Sequence, residues 1–349
     1  MVTVAVIGAG IAGLTVTAEL AALGHDIFLF DKSRSVGGRC ATRRSAVGAF
    51  DHGAPGFSAT TAAFRAQVAA WQHGGWVCAG SQGDALARDE APQHSTPSPI
   101  YGVPSMNALA WQLEAQLPAR VTLHTDSQVT AIEPVDGGEG WQLRLSDDGF
   151  ARAARFEAVV VAVPAEQAAL LLAPDATQVE AMRHARSDPC WTVMAAWARP
   201  LSGVLETSLH SDAQRVLLMA RRDGVRQGRT HEAGVANRWV LHATPQWTVE
   251  HLDAPAETVI AELLRAFARL LGTDLDAPLH AVAHRWRYAQ VRAPRSEPFG
   301  WHAALRLGSC GDAWHAHGDP GSTSPDGIER AWLSGRALAQ QMHQTLSPR

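Results

Sequence analysis

Cysteine is scarce in this chain: only four of its 349 residues are cysteine, and none of them forms a Cys-x-x-Cys pair. Together with a first strand that begins at once and leaves no room for a signal peptide, this pattern predicts a cytoplasmic protein with reduced thiols. No apolar run reaches about eighteen uncharged residues, which excludes a membrane-spanning helix. The formal net charge of −4 offers no basic field to nucleic acid. A Gly-x-Ser-x-Gly elbow is also missing, which argues against a serine hydrolase.

A glycine-rich turn follows the first apolar run of the chain. Residues 2–7 are mostly β-branched and suit a buried parallel strand. Gly8 permits a tight turn, and Gly10 lets the backbone approach a pyrophosphate. Gly13 lets the predicted helix over residues 11–23 pack closely on the strands, with its positive N-terminus facing the phosphates. The order of strand, turn and helix predicts a dinucleotide site.

A second apolar run, residues 27–30, delivers Asp31 about twenty residues after the glycines. A carboxylate at the end of this strand can accept hydrogen bonds from ribose hydroxyls. Lys32 follows directly and is the lone lysine of the chain. These residues imply a dinucleotide that contains adenine.

The tripeptide Gly37-Gly38-Arg39 distinguishes a flavin from a nicotinamide. It resembles the second glycine motif of the flavin amine oxidase superfamily, in which this loop and its arginine lie against the FAD pyrophosphate. An arginine suits that position because its guanidinium can hold two phosphate oxygens at once. The cofactor that the resemblance implies is FAD.

Length and segment order predict an α/β fold of two interleaved domains. We expect a Rossmann-like FAD-binding domain from residues 1–57, 101–165 and 285–349, and an α+β substrate domain from residues 58–100 and 166–284. Further helices are expected near 62–73, after a Ser105 cap, over 256–271 and over 326–342. Further strands are expected at 127–132, 141–145, 158–163 and 304–309, and a turn at 136–138.

Six later segments resemble bacterial renalase-type flavoproteins, nearly from end to end. They are Tyr101–Met106, Pro189–Trp191, Trp239–Pro245, His284–Ala289, Cys310–Asp312 and Ala331–Gly335. The resemblance implies the interleaved topology of p-hydroxybenzoate hydroxylase and the amine oxidases, with noncovalent FAD. It also implies an oxidase that takes a hydride from a dihydronicotinamide isomer and reduces oxygen to hydrogen peroxide. By analogy, Val129 would contact the adenine side, and Gly311 and Asp312 the ribityl-phosphate chain.

The lone Lys32 bears on the choice of substrate. Many amine oxidases of this superfamily place a lysine beside flavin N5 from the later part of the chain, and none exists here. This weakens an amine oxidase interpretation, although replacement of lysine by arginine throughout the composition would give the same pattern. Two alternatives therefore remain: an FAD-dependent oxidase of amines or another small metabolite, and a flavin-binding protein with little turnover.

Site residues beyond the glycine motifs are predicted from position. The last helix would aim its N-terminus at the flavin, with an N–H of Ile328 as the contact and Asp326 as the cap. Trp286 and Tyr288 alternate onto one strand face and could form a wall for a flat nicotinamide ring, although core packing is the other interpretation. His242 is either a catalytic or a buried structural histidine, and His52 is equally open.

The complete set of predicted site residues is larger. The predicted cofactor contacts are Gly8, Gly10, Ile11, Ala12, Gly13, Asp31, Lys32, Gly37, Gly38, Arg39, Ala54, Pro55, Val129, Gly311, Asp312 and Ile328, and the predicted catalytic residues are His242, Trp286 and Tyr288.

Two departures from the renalase pattern concern the pocket. Pro55-Gly56 stands where relatives carry Gln-Tyr, which predicts a roomier pocket, and the loop over 313–325 is longer than the family connection. Within that loop His315 and His317 lack a well-spaced fourth ligand, so we predict no metal site. Cys310 directly precedes Gly311-Asp312, unlike the cysteines of covalent flavoproteins, so we expect no covalent attachment.

Overall fold

The computed structural model describes residues 1–80, 99–135, 139–146, 155–201, 208–210, 215–225, 227–315, 317–319 and 324–346. Within this part the helices are α1 (Ile11–Ala22), α2 (Ala62–His73), α3 (Met106–Ala115), α4 (Ala165–Leu171), α5 (Ala176–His184), α6 (Pro245–Glu250), α7 (Ala256–Leu271) and α8 (Gly327–Leu346). The strands are β1 (Thr3–Ile7), β2 (Asp26–Phe30), β3 (Thr42–Ser45), β4 (Gly48–Asp51), β5 (Val77–Ala79), β6 (Ile100–Gly102), β7 (Val121–His124), β8 (Val129–Pro134), β9 (Trp141–Leu145), β10 (Ala158–Val161), β11 (Ser187–Trp197), β12 (Ser208–His210), β13 (Leu217–Arg222), β14 (Asn237–Ala243), β15 (His280–Val291), β16 (Gly300–His302) and β17 (Leu307–Ser309).

A six-stranded sheet forms the first layer, in the order β16-β17-β10-β1-β2-β7. All neighbours are parallel except β16, which pairs antiparallel with β17. The central strands β1 and β10 are apolar along nearly their whole length, as expected for strands covered on both faces. The predicted Rossmann-like α/β fold is therefore confirmed.

Helices α1 and α8 cross closely over one face of this sheet. The approach depends on Gly335 of α8, where a Cβ would lie 2.8 Å from the carbonyl oxygen of Ala12. Phe64 and Trp71 of α2 join the same apolar cluster as Leu14 and Leu338, so α2 packs on this half of the molecule. The proposed division of the chain into domains stays a prediction.

A five-stranded antiparallel sheet forms the second layer, in the order β12-β13-β14-β11-β15. Helix α7 presents an apolar stripe to it, with Phe267 against Trp197 and Trp239. The ladder between β11 and β15 changes register at Pro189, which has no N–H to donate.

Most predicted elements occur where the sequence patterns place them. The predicted bounds of α2 and α7 match, and α8 runs slightly further than expected, to Leu346. Ser105 occupies the N-cap of α3, but its hydroxyl donates to Asn107 Oδ1 and accepts no helix N–H. Strands β8 and β9 pair antiparallel, while the predicted turn at 136–138 lies outside the described residues. No helix in the described part of the chain is long and apolar enough to cross a membrane.

Candidate active site

The two glycine motifs meet at the carboxyl ends of β1 and β2. The N–H of Gly37 donates to the carbonyl oxygen of Ala9 at 2.8 Å, and a Cβ on Gly38 would lie 3.5 Å from Gly10 Cα. Gly8 and Gly37 have φ angles of +105° and +117°, which L-residues with side chains rarely adopt. The paired turns therefore depend on glycine for both conformation and approach.

The N-terminus of α1 is open toward this junction. Gly10 provides no side-chain cap, the first turn carries no acidic residue, and a Cβ at Gly10 would find no atom within 4 Å. Gly311, at the end of β17, has the same open space where its Cβ would be. Unsatisfied N–H groups beside open space suit a pyrophosphate.

Asp31 ties the end of β2 to the first glycine turn. Its carboxylate accepts the N–H of Ala9 and that of Ser33, each at 2.7 Å, which leaves lone pairs for ribose hydroxyls. The N–H of Ser127 donates to the Asp31 carbonyl oxygen at 2.8 Å, which brings the start of β8 and buried Val129 beside it. Lys32 is exposed.

Arg39 and Asp312 form a bidentate ion pair across the site. Nη1 and Nη2 of Arg39 lie 2.8 and 2.6 Å from the two Asp312 oxygens, and Arg330 Nε holds the Asp312 carbonyl oxygen at 2.9 Å. Sequence reasoning assigned Arg39 to the pyrophosphate and Asp312 to the ribityl chain, as separate contacts. The structure joins the two, so the orientation of each depends on the other.

The N-terminus of α8 has the predicted cap. Asp326 Oδ1 accepts the N–H groups of Ile328 and Glu329 at 3.0 and 3.1 Å, and the Asp326 carboxylate also accepts the N–H of Ser58. Burial raises the pKa of Asp326. Since the Ile328 N–H already has an acceptor, its predicted contact with the flavin would be a shared hydrogen bond, and it stays a prediction.

A wall of rings stands where the loop after β4 meets β15. His52 lies 4.8 Å from His284 and 5.3 Å from Trp286 between ring centroids, and the His284 and Trp286 rings are 4.5 Å apart. Trp286 Nε1 donates to the His52 carbonyl oxygen at 2.9 Å. His242, on β14, pairs with the carbonyl oxygen of Gly53 at 3.2 Å. The structure thus brings His242 and Trp286 to one loop.

Sequence reasoning missed His284. The residue lies two positions before Trp286 on a regular stretch of β15, so alternation alone could have placed it on the same face. Tyr288 lies in the register shift, where Arg287–Ala289 of β15 stand opposite the single residue Pro189, so alternation with Trp286 does not by itself give its face of the sheet. The catalytic assignment of Tyr288 stays a prediction.

An aromatic ring lies beside Pro55-Gly56, and the roomier pocket expected there stays a prediction. A Cβ on Gly56 would lie 3.0 Å from Tyr101 Cδ1 and closer still to Cε1, so the Tyr101 ring fills that space. Arg221 packs over this ring at 4.8 Å and donates hydrogen bonds to the Tyr101 hydroxyl and the Pro55 carbonyl oxygen. An aromatic ring thus lies beside Gly56, and it comes from β6, which the local sequence around position 56 does not reveal.

Burial removes the charge from the ring wall. Desolvation, with smaller effects of His284 and Arg43, lowers the pKa of His52 to about 3, and desolvation also lowers that of His284. Among the described residues, no carboxylate raises the pKa of His52 or of His284. Both rings are therefore neutral at pH 7.

This neutrality predicts an acid sensitivity. Between pH 6.5 and about 3 the unfolded His52 binds a proton that the folded one does not, so stability is full above pH 6.5 and falls as the pH is lowered. From pH 6.5 to 5 the loss is about 2 kcal/mol. Urea unfolding of His52→Gln should show a shallower fall over this range than the parent protein. Parallel curves would contradict the assignment.

Two further predictions concern Cys310, expected to form no bond to the flavin, and the long loop over 313–325. Burial raises the pKa of the Cys310 thiol to about 12, which makes it a poor nucleophile for flavin attachment. In the loop over 313–325, Ala313 and Trp314 are buried, and Asp319 accepts the N–H of Ala62 at 2.7 Å, while 316 and 320–323 lie outside the described residues.

The residues present fit FAD. The open helix terminus and the spaces at Gly10 and Gly311 match a pyrophosphate, and Asp31 matches a ribose. Ala54, whose N–H donates to the Arg39 carbonyl oxygen at 2.8 Å, places the loop after β4 against the second glycine motif. Together these backbone hydrogen bonds connect the first glycine turn, the second glycine motif and the loop after β4 that carries His52.

Comparison with known proteins agrees with this geometry. Residues 6–69 match the NAD(P)-binding Rossmann-like domain, and residues 48–343 match the flavin-containing amine oxidoreductases. A structure from Exiguobacterium sp. 255-15, described as a protoporphyrinogen oxidase, is 13% identical, with 98% of each chain covered and a TM-score of 0.68. An oxidoreductase from Methanosarcina mazei is 17% identical, with 97% of this chain and 100% of that chain covered and a TM-score of 0.65.

Wild-type putrescine oxidase bound to putrescine is 13% identical, with 97% of this chain and 98% of that chain covered and a TM-score of 0.63. At such identities the likeness to solved structures shows the fold. The family match extends over residues 48–343, well beyond half of the chain. The chain therefore belongs to the flavin-containing amine oxidoreductase family and is an FAD-dependent oxidoreductase.

Proposed function

We propose that the protein is a renalase-like oxidase that takes a hydride from a dihydronicotinamide isomer, with oxygen as the acceptor. The observation that carries this proposal is the neutral ring wall of His52, His284 and Trp286. A flat, uncharged dihydropyridine ring can pack on such a wall. A protonated amine needs a carboxylate partner, and no carboxylate of the described residues raises the pKa of His52 or His284. The lone Lys32 is exposed directly after Asp31, and the later part of the chain contains no lysine, which supports the same choice.

The overall reaction joins a dihydronicotinamide, oxygen and a proton to give the aromatic nicotinamide cation and hydrogen peroxide. FAD supplies the redox chemistry when bound, since it exchanges a hydride with the donor and electrons with oxygen. The described side chains bind and orient. Trp286 is held by its N–H on the His52 carbonyl oxygen, and Tyr101 with Arg221 limits the pocket on the side of Gly56. The chain thus contributes position and exclusion of water.

Attachment of the cofactor is proposed to be noncovalent. The buried, protonated Cys310 thiol supports this, as does its position directly before Gly311-Asp312. Acid precipitation should release all of the yellow colour into the supernatant. Colour retained in the pellet would contradict the proposal.

The test follows anaerobic bleaching of the flavin by dihydronicotinamide isomers and by a panel of amines. We expect rapid bleaching by a dihydronicotinamide and slow bleaching by amines, with peroxide formed once oxygen is admitted. Bleaching by an amine alone would establish the alternative amine oxidase, and bleaching by nothing would establish a flavin-binding protein with little turnover.

Trp286 variants test the wall itself. Trp286→Phe keeps an aromatic face but loses the N–H that holds the His52 carbonyl oxygen, and Trp286→Leu loses both. We expect bleaching by the dihydronicotinamide to slow about tenfold in the leucine variant, equivalent to about 1.4 kcal/mol, and less in the phenylalanine variant. Trp301→Phe, on β16, is the matched control and should bleach at the parent rate. Equal rates in all four proteins would overturn the role of the wall.

A further inference from the structure

A small cleft lies where β13 ends and β14 begins. Its walls include Arg222, Gly224, Asn237 and Arg238, and it encloses about 80 Å³. A cavity of about 10–15 Å³ already holds one water molecule, so the cleft has room for a group of a few heavy atoms. Its lining contains none of the residues assigned above to FAD or to the donor.

Arg238 is the most buried charge in this cleft, with 3% of its surface exposed. Its Nη1 donates to the Val47 carbonyl oxygen at 3.2 Å and its Nη2 to the Thr230 carbonyl oxygen at 2.7 Å. Nε is buried and has no hydrogen-bond partner among the described residues. A buried donor of a charged group without an acceptor is costly, so the site lacks one acceptor atom.

Gly224 leaves one edge of this guanidinium without a side chain over it. A Cβ on Gly224 would lie 3.5 Å from both Nε and Nη2 of Arg238, and no other atom outside the adjacent residues comes closer. Nε and Nη2 form the edge of a guanidinium that binds two oxygens side by side. Nη2 carries two hydrogens, and Thr230 accepts only one. The edge that Gly224 leaves uncovered is therefore a donor pair of bidentate geometry.

A second guanidinium stands at the same cleft. Arg222 is half-buried, and its side chain has no hydrogen-bond or ion-pair partner within the described ranges. The nearby acids are engaged elsewhere: Asp223 accepts from Arg229, and Glu232 accepts the Thr230 hydroxyl. Arg222 and Arg238 thus line the cleft, and among the described contacts neither Asp223 nor Glu232 accepts a hydrogen bond from them.

We propose that this cleft binds a small oxyanion, a phosphate or carboxylate group, held by Nε and Nη2 of Arg238 and by the Arg222 guanidinium. The bound anion fixes Arg238, which in turn holds Val47 in the turn between β3 and β4. Because β4 leads directly to His52, occupancy of the cleft braces the strand that carries the ring wall.

Calorimetry and thermal melting of the FAD-loaded protein test the proposal, with inorganic phosphate titrated at constant ionic strength. We expect saturable binding and a higher melting temperature in the parent protein. Arg222→Gln should bind phosphate at least about tenfold more weakly. Arg183→Gln, which removes an exposed arginine of α5, is the matched control and should bind as the parent does.

Acetate and glycerol phosphate distinguish the sources of the anion. Tighter binding of glycerol phosphate indicates an organic phosphate, tighter binding of inorganic phosphate indicates the free ion, and tighter binding of acetate indicates a carboxylate. Failure of all three to bind the parent protein overturns the proposal. Equal binding by Arg222→Gln and Arg183→Gln overturns it as well, since the anion is then adventitious. These readouts do not require turnover, so they are independent of the electron donor.

Discussion

Gly13→Ala is expected to prevent assembly of the folded flavoprotein. A Cβ at this position would collide with the carbonyl oxygen of Gly8 and lie 2.9 Å from its carbonyl carbon. Backbone atoms of a tight turn cannot rotate away as a side chain can, so α1 would have to move off β1. We expect a loss of at least about 3 kcal/mol in the free energy of unfolding, together with loss of bound FAD. Urea unfolding and the flavin content of the purified protein measure both effects.

Gly10→Ala is the matched control, three residues away on the same turn. Its φ of −77° suits any residue, and a Cβ there would meet nothing within 4 Å. The apoprotein should therefore unfold within about 1 kcal/mol of the parent. FAD should bind at least about tenfold more weakly, because the methyl group occupies the space assigned to the pyrophosphate. Equal FAD affinity in Gly10→Ala and the parent would show that the cofactor lies elsewhere.

Glu329→Ala is expected to have the largest effect on stability outside the glycine turns. The Glu329 carboxyl group is fully buried and accepts the N–H and the hydroxyl of both Thr60 and Thr61, at 2.7 to 3.1 Å. Thr61 also caps α2 by accepting the N–H of Phe64. Truncation leaves four buried donors without their acceptor, which should cost about 3–5 kcal/mol in urea unfolding.

Two variants frame this result. Glu329→Gln keeps one acceptor oxygen but sets an NH₂ group against donors. Its free energy of unfolding should therefore lie between that of the parent protein and that of the alanine variant. Glu19→Ala removes a half-exposed partner of Arg336 and should cost no more than about 1 kcal/mol. If Glu329→Ala unfolded like Glu19→Ala, the buried network would not hold α2 to α8.

The candidate active site is assembled from both layers of the fold. Trp286 of the antiparallel sheet holds the His52 carbonyl oxygen, and Arg221 of the same sheet holds that of Pro55. Arg39, from the second glycine motif, reaches the carbonyl oxygen of Ala289 at 3.4 Å. The loop that follows β4 is thus fixed by contacts to residues far away in the chain, which explains why the ring wall forms at this junction.

Patterns within about twenty residues were enough to predict the Rossmann-like fold and the FAD cofactor. The run before Gly8, the spacing to Asp31 and the Gly37-Gly38-Arg39 motif are local, and each depends on backbone conformation that a glycine or a short strand imposes by itself. The same holds for α7, whose apolar periodicity predicted its bounds. The surroundings of the pocket residues are not local: Tyr101 packs beside Gly56 from β6, and a register shift falls on Tyr288.

By itself, then, the sequence determined the two glycine turns and the α/β fold, since both follow from short-range sterics and hydrophobic periodicity. Only the tertiary structure decided how charge is distributed in the site. The pairing of Arg39 with Asp312, the neutral state of His52 and the unmet donor of Arg238 all arise from burial among residues distant in the chain. Burial changes the free energy of a charged or polar group by kilocalories, and no local pattern records which groups will share the same interior.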